Sequence, residues 1–221
     1  MSVAVKICGL TTGAAVKAAS AADFAGFVLF PKSPRNVTAL EAAKLAAKLG
    51  SGVRTVAVVV DPDDAMLRAT FERFRPDFVQ LHGSETPARV AEIRDGFGIK
   101  VIKAVPVRDG ADLDAARAYE DCAEWLMFDA KPPRPDSLPG GNAASFDWGL
   151  VQGRTWRRPW FLSGGLTIAN VAGAIAATRP DGVDVSSALE VKPGHKDPAK
   201  IAAFIAAVRG SVAGTSAPAA R

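Results

Sequence analysis

Short apolar, β-branched runs alternate with longer Ala- and Leu-rich amphipathic stretches along nearly the whole chain. The runs predict strands over Val3 to Cys8, Ala25 to Phe30, Thr55 to Val60, Asp77 to Leu81, Lys100 to Val105, Trp125 to Asp129, Pro159 to Ser163 and Gly182 to Ser186. The stretches between them predict helices over Thr12 to Ala21, Thr38 to Leu49, Asp63 to Phe74, Pro87 to Arg94, Ala111 to Tyr119, Phe146 to Val151, Ile168 to Ala177 and Pro198 to Val208. Runs apolar at every position, such as Val56-Ala57-Val58-Val59-Val60, suit parallel strands covered by helices. Helix starts carry their own signals: Thr38 stands three residues before Glu41, a capping-box spacing, and Asp61-Pro62-Asp63 sets a turn and an acidic first turn.

Eight strand-then-helix units have one economical closure in this length, the (β/α)₈ TIM barrel, an α/β fold. The competing open, doubly wound sheet asks for a G-x-G-x-x-G turn after its first strand, and Cys8-Gly9-Leu10-Thr11-Thr12-Gly13 does not supply it. A single domain over residues 1–209 is expected, followed by a disordered tail over 210–221, which is rich in Ala, Ser, Gly and Pro without an apolar pattern. The Pro- and Gly-rich stretch Lys131 to Ala144 follows the sixth strand, where a barrel carries its active site, and reads as a cover over that site rather than a linker.

Composition changes this picture little. Apolar residues make up 48% and charged residues 23%, as in ordinary globular proteins. The net charge of +4 raises an anionic substrate or nucleic acid as partner, but the densest basic cluster, Arg154, Arg157 and Arg158 beside Trp156, has no nucleic-acid-binding motif around it, so no nucleic acid is expected. Cys8 and Cys122 are the only cysteines, too few for a disulfide framework and without metal-ligand spacing, which favours a cytoplasmic location and no metal. Met1-Ser2 leads directly into a strand-like run, and no apolar stretch of about 18 residues occurs, so neither secretion nor a membrane partner is expected.

Barrel strands open at their carboxyl ends onto one face, so Cys8 and Asp129, far apart in the chain but each ending a strand, can meet over one substrate. A cysteine there is either a small core hydrophobe or a base; as a base it needs its thiolate stabilised, by Arg35 or by the start of the first helix. Asp129 is either a loop-capping aspartate or a general acid, which would have to hold its proton near neutral pH, as burial would favour. Cys122 lies before the sixth strand, on the stability face, and reads as structural. Ser163-Gly164-Gly165-Leu166-Thr167 and Ser186-Ser187-Ala188-Leu189-Glu190 follow the last two strands, where barrels hold phosphate with main-chain N–H groups; tight turns are the plain alternative. Pro31-Lys32-Ser33-Pro34-Arg35 is a rigid loop whose arginine suits a carboxylate, or a solvated surface loop. His82, at the mouth of the fourth strand, is a ligand contact or a satisfied core histidine, and His195 reads as a solvent-exposed turn residue.

Taken together, Lys6-Ile7-Cys8-Gly9-Leu10-Thr11, Phe30-Pro31-Lys32-Ser33-Pro34-Arg35, Val79-Gln80-Leu81-His82-Gly83, Phe128-Asp129, Pro139-Gly140-Gly141, Phe146-Asp147-Trp148, Ser163-Gly164-Gly165-Leu166, Asp184-Val185-Ser186-Ser187 and Pro193-Gly194-His195-Lys196-Asp197-Pro198 resemble the phosphoribosylanthranilate isomerases of tryptophan biosynthesis. The resemblance spans the chain to about Val208 and implies an isomerase that converts N-(5′-phosphoribosyl)anthranilate to 1-(2-carboxyphenylamino)-1-deoxy-D-ribulose 5-phosphate by an Amadori rearrangement. It implies a base at Cys8, an acid at Asp129, an anthranilate-contacting Arg35, no cofactor, and substrate contacts at His82, Gly164, Gly165, Ser186 and Ser187. A phosphorylated small molecule is then the partner, and the protein a monomer or homodimer. The chain departs from the family pattern at Asn142-Ala143-Ala144-Ser145, which lacks the usual cation, and at Ala188, where glycine is commoner.

The rival enzymes are other phosphate-binding barrels, such as a ribulose-phosphate epimerase or indole-glycerol-phosphate synthase. Those would ask for metal-binding His/Asp pairs or a catalytic Lys/Glu set, and the chain has only two histidines. A non-catalytic ligand-binding barrel is the alternative of another class.

Overall fold

The computed structural model describes residues 2–131 and 145–213. Eight parallel strands close on themselves: β1 (Ala4–Cys8), β2 (Phe24–Val28), β3 (Arg54–Val59), β4 (Phe78–Leu81), β5 (Lys100–Val107), β6 (Trp125–Ala130), β7 (Trp160–Leu162) and β8 (Gly182–Val185), with β8 pairing back onto β1. Among the described residues, seven α-helices lie outside them: α1 (Gly13–Ala19), α2 (Ala39–Ala46), α3 (Asp64–Arg73), α4 (Pro87–Phe97), α5 (Gly110–Ala116), α6 (Val171–Thr178) and α7 (Pro198–Ala213). Each expected strand is present within a residue or two.

Three features differ from the expectation. The sixth helical stretch is a single 3₁₀ turn, Trp148–Val151, capped by Asp147. A small antiparallel hairpin, β9 (Glu190–Lys192) and β10 (His195–Lys196), follows β8. Helix α7 continues to Ala213, past Gly210, where a tail was expected; residues 214–221 lie outside the described residues.

The helices start where side chains cap them. Thr12, Thr38, Asp63, Thr86 and Asp109 each accept a hydrogen bond from a main-chain N–H in the first turn, and Thr38 with Glu41 completes the capping box. At the opposite end of the barrel a second device recurs in every other unit. The acidic residue just before an even-numbered strand accepts from an N–H at the start of the preceding odd-numbered strand: Asp23 from Val5, Asp77 from Thr55, Glu124 from Val101 and Asp181 from Trp160. These bonds satisfy main-chain donors that the ladder leaves open and hold neighbouring strands in register.

Outward-facing strand residues such as Val5, Ile7, Ala57, Val59, Leu126 and Phe128 pack with the helices in the main core. Inside, Phe24, Phe78, Trp125 and Phe161 fill the lower half with edge-to-face and stacked contacts at centroid distances of 4.4–5.5 Å. Gly182 leaves room for this plug, since a Cβ there would stand 2.5 Å from the Phe161 ring. Above the aromatic plug the interior becomes polar, and the site lies there.

Candidate active site at the carboxyl ends of the strands

Alternation along β1 turns Ala4, Lys6 and Cys8 inward, so a lysine and a thiol lie on one inner face. Lys6 is fully buried, and its Nζ donates to Asp184 Oδ1 on β8 at 2.7 Å. Ser163, at the end of β7, donates to the other Asp184 oxygen at 3.3 Å. Gly26 on β2 makes the space: a methyl group there would stand 3.2 Å from Cys8 Sγ and 3.3 Å from Lys6 Nζ. Burial acts to lower the Lys6 ammonium, and Asp184 with Cys8 more than offsets this, leaving it above the ordinary lysine value. Burial pushes the Cys8 thiol up; Lys6 and Lys196 pull it down, Asp184 adds to the rise, and the net direction is upward. The cations facing the thiol are therefore Lys6 and Lys196, in place of the helix start or Arg35.

Gly9 turns the chain after Cys8 with φ +76°, and its missing side chain lets Arg35 lie across it, since a Cβ would meet Arg35 Cδ at 2.6 Å. Arg35 is buried, which excludes the solvated-loop reading, but its fork is engaged. Nε and Nη2 donate to Glu190 Oε1 and Oε2 at 2.7 and 3.0 Å. Lys196 donates to the same Glu190 oxygen at 2.5 Å and to Ser186 Oγ at 3.3 Å, and Ser186 donates to the Cys8 carbonyl at 3.1 Å. Burial pushes Glu190 up, and its bonds to Arg35 and Lys196 outweigh this, holding it below the usual carboxylate range. The hairpin that carries Glu190 and Lys196 is docked by Thr11, whose hydroxyl donates to Gly194 O at 2.7 Å.

Asp129, one residue before the end of β6, faces inward, buried, with Oδ1 accepting from the Ala130 N–H at 2.9 Å. His82 Nε2 lies 3.3 Å from Asp129 Oδ2, and Gln80 Nε2 lies 2.8 Å from His82 Nδ1. His82 is thus placed at the strand mouth as expected, against the candidate acid. Gly164 and Gly165, with φ of +82° and +69°, bend the β7 loop toward Asp129: a methyl group on Gly164 would stand 3.1 Å from Asp129 Oδ1 and 2.8 Å from Ala130 N. Among the described residues, neither glycine N–H has a hydrogen-bond acceptor. Ser187 opens the 3₁₀ turn Ser187–Leu189, and Ala188 sits within it outside the left-handed region, so alanine there carries no backbone cost.

Every candidate from the sequence therefore lies at one end of the barrel. His195 is exposed, and Cys122 is buried before β6 with Sγ 3.5 Å from the Tyr119 carbonyl, at the other end. Arg154 and Arg157 are paired with Asp114, Glu120 and Asp121, and Arg158 donates to the Glu120 carbonyl. The expected cover, Lys131 to Ala144, and the altered residues Asn142 to Ala144 lie, from residue 132 on, outside the described residues. Sequence reasoning missed Asp184, Glu190 and Lys196 as site residues and gave Lys6 no role. The signal for Lys6 was a charge in an otherwise apolar strand, two residues before Cys8 and so on the same face. Among the described residues no cluster of His, Cys, Asp and Glu could hold a metal ion, and no helix is long and apolar enough to cross a membrane.

Comparison with known proteins bears on what these residues do together. The family model described as N-(5′-phosphoribosyl)anthranilate (PRA) isomerase matches residues 5–207. The N-(5′-phosphoribosyl)anthranilate isomerase of Paracoccus denitrificans is 53% identical over 208 residues, covering 93% of this chain and 97% of that protein. The crystal structure of phosphoribosyl anthranilate isomerase from Thermotoga maritima superposes with a TM-score of 0.84 at 36% identity, covering 94% of this chain and 99% of that one. A phosphoribosyl anthranilate isomerase solved with reduced 1-(o-carboxyphenylamino)-1-deoxyribulose 5-phosphate gives a TM-score of 0.79 at 34% identity, covering 94% and 99%. With the thiol, the carboxyl and the β7 and β8 loops at one end of a barrel matched over nearly its whole length, this chain belongs to the phosphoribosylanthranilate isomerase family.

Proposed function

We propose that Cys8 and Asp129 carry out the isomerisation of N-(5′-phosphoribosyl)anthranilate as base and acid. The observation that carries this is their placement on inward positions at the ends of β1 and β6, flanking the β7 and β8 loops. Asp129, in its protonated form, gives its proton to the ribose ring oxygen; the ring C–O bond breaks, and the amine lone pair forms a cationic iminium. The Cys8 thiolate then removes the proton from the adjacent carbon, and the C–H electron pair becomes the double bond of the enolamine. Reprotonation of that enolamine at the first carbon and loss of its enol proton give the ketone, with no net change in protons. This order suits a thiol that burial pushes up, because the iminium brings a positive charge next to it just when it must ionise. Neither step calls for a cofactor.

Main-chain N–H groups of Gly164, Gly165, Ser186 and Ser187 receive the phosphate, at a loop geometry suited to an anion. Arg35 receives the anthranilate carboxylate on the guanidinium edge that Glu190 leaves over, and His82 contacts the substrate beside Asp129. All these residues come from one chain, so a monomer or a homodimer serves equally, and the free thiols of Cys8 and Cys122 suit the cytoplasm.

The test is fluorescence-monitored consumption of freshly generated phosphoribosylanthranilate. The protein should turn it over, with inorganic phosphate as a competitive inhibitor, and a phosphate-free analogue should be a far poorer substrate through its KM. Equal KM values for the two would remove the phosphate site, and no consumption would remove the function.

Arg35→Lys should not be conservative, because an ammonium cannot serve Glu190 and a substrate carboxylate in one plane. Binding should weaken by about 1.5–3 kcal/mol, and the loss should shrink for an analogue lacking the carboxylate. Measuring both substrates on both proteins isolates the contact. Equal losses would instead assign Arg35 to holding Glu190 and the hairpin.

A further inference from the structure

Lys6 and Asp184 form an ion pair inside the barrel next to Cys8, and neither takes part in the proton transfers assigned to Cys8 and Asp129. A buried pair of this kind is no better for stability than apolar side chains of the same volume, and the layer below it is filled with four aromatic rings. Its geometry points to the thiol. Lys6 and Cys8 share one inner face of β1, and a Cβ on Gly26 would lie within 3.3 Å of both the sulfur and the ammonium nitrogen. Asp184 fixes the ammonium from β8 and is itself fixed by Ser163.

We infer that Lys6 is a positioning residue for the reaction: held by Asp184, its ammonium stabilises the Cys8 thiolate over the thiol and so makes a buried cysteine usable as a base. The inference rests on the reading of Cys8 as the base. Three charged groups act on the thiol, and two more, Arg35 and Glu190, are linked to them. Lys6 lies on its own strand, Asp184 on β8, Lys196 on β10, and Arg35 in the β2 loop is paired with Glu190 on β9. Lys196 and Arg35 share the single carboxylate of Glu190, and Lys196 reaches the Cys8 main chain through the Ser186 hydroxyl. After burial itself, Lys6 is the strongest influence on the thiol, and it acts toward the thiolate. Lys6 responds in kind, since Cys8 and Asp184 both hold its proton on.

The experiment follows the ionisation of Cys8 directly, by the pH dependence of its alkylation rate in a Cys122→Ala background, alongside the acid limb of the kcat/KM profile. Lys6→Met removes the ammonium and keeps most of the volume. The midpoint of thiol ionisation should rise by about one to three pH units, the range that an opposite charge at close contact produces. Lys6→Met also leaves Asp184 buried without a partner, which can unfold the barrel. The double variant Lys6→Met/Asp184→Asn removes both charges, and its midpoint should still lie above that of the parent, because the ammonium, on the same inner face of β1 as the thiol, acts on it more strongly than the carboxylate does.

A purely structural role gives the opposite sign. A loosened barrel admits water to Cys8, and the midpoint falls toward that of an ordinary thiol in both variants. A fall, or an unchanged midpoint in the double variant, overturns the inference. A thiol midpoint that rises while the acid limb of kcat/KM stays in place would keep Lys6 as the partner of the thiolate and remove Cys8 as the base, so the two readings fail separately.

Discussion

Replacing Cys8 with alanine should leave the barrel folded and lower kcat by about 10²–10⁴, the contribution of a well-placed general base. The side chain removed is small and lies at the end of β1, where the main chain is held independently by pairing with β2 and β8 and by the Ser186 hydroxyl on its carbonyl. Lys6 and Asp184 remain paired with each other, so no buried charge is orphaned. KM should change little, since the contacts assigned to the phosphate and the carboxylate come from other residues, and an interaction made only in the transition state appears in kcat. Cys122→Ala, at the far end of the barrel, should leave both constants unchanged. Circular dichroism and thermal melts establish folding, and the fluorescence assay gives the rates. Turnover by Cys8→Ala at close to the parental rate would show that the proton leaves by another route.

The strands and most helices were legible because each buries its own pattern of side chains: Val56 to Val60 must be covered on both faces whatever its neighbours, and Thr38 with Glu41 caps a helix through local bonds alone. The placement of Cys8 and Asp129 at inward strand ends was legible for the same reason, since the carboxyl ends of barrel strands share one face. What holds them in condition was not. Lys6 meets Asp184 across 178 residues and Arg35 meets Glu190 across 155, and only closure of β8 onto β1 brings either pair together. The hairpin at Glu190 to Lys196 was missed because its strands are two and three residues long, and Val191, its one large apolar side chain, points to solvent. The sixth helix was overstated: Asp147 caps Trp148–Val151, but the chain turns away after one 3₁₀ turn. Arg35 shows how sequence can name a residue and miss its partner, because its fork suited to a carboxylate is filled by one from the protein itself.

Asp129→Asn should abolish turnover, by about 10²–10⁴ in kcat, while a reduced product analogue binds nearly as well as to the parent. The substitution keeps the shape of the side chain and exchanges the oxygen that can carry a proton for an amide. Asparagine retains an acceptor for the Ala130 N–H, so the turn after β6 survives. Gln80 Nε2 donates to His82 Nδ1, which leaves the ring proton on Nε2; the asparagine amide nitrogen would face that Nε2 where Asp129 Oδ2 now lies at 3.3 Å, and two donors cannot share the contact. The imidazole can answer by moving its proton to Nδ1, and Gln80 can answer in turn by rotating its amide to place Oε1 against Nδ1. The rotation gives Gln80 Oε1, which has no partner among the described residues, the His82 contact, and gives up the 3.5 Å contact of Gln80 Nε2 with Met127 Sδ. The row from Gln80 through His82 to position 129 thus reverses the direction of its hydrogen bonds without moving its atoms far, and rate is lost where structure is not. Nitrogen-detected NMR of the His82 ring distinguishes the two tautomers. Loss of analogue affinity as large as the loss of rate, or a ring that keeps its proton on Nε2 in the variant, would show that Asp129 holds the site together rather than supplying the proton.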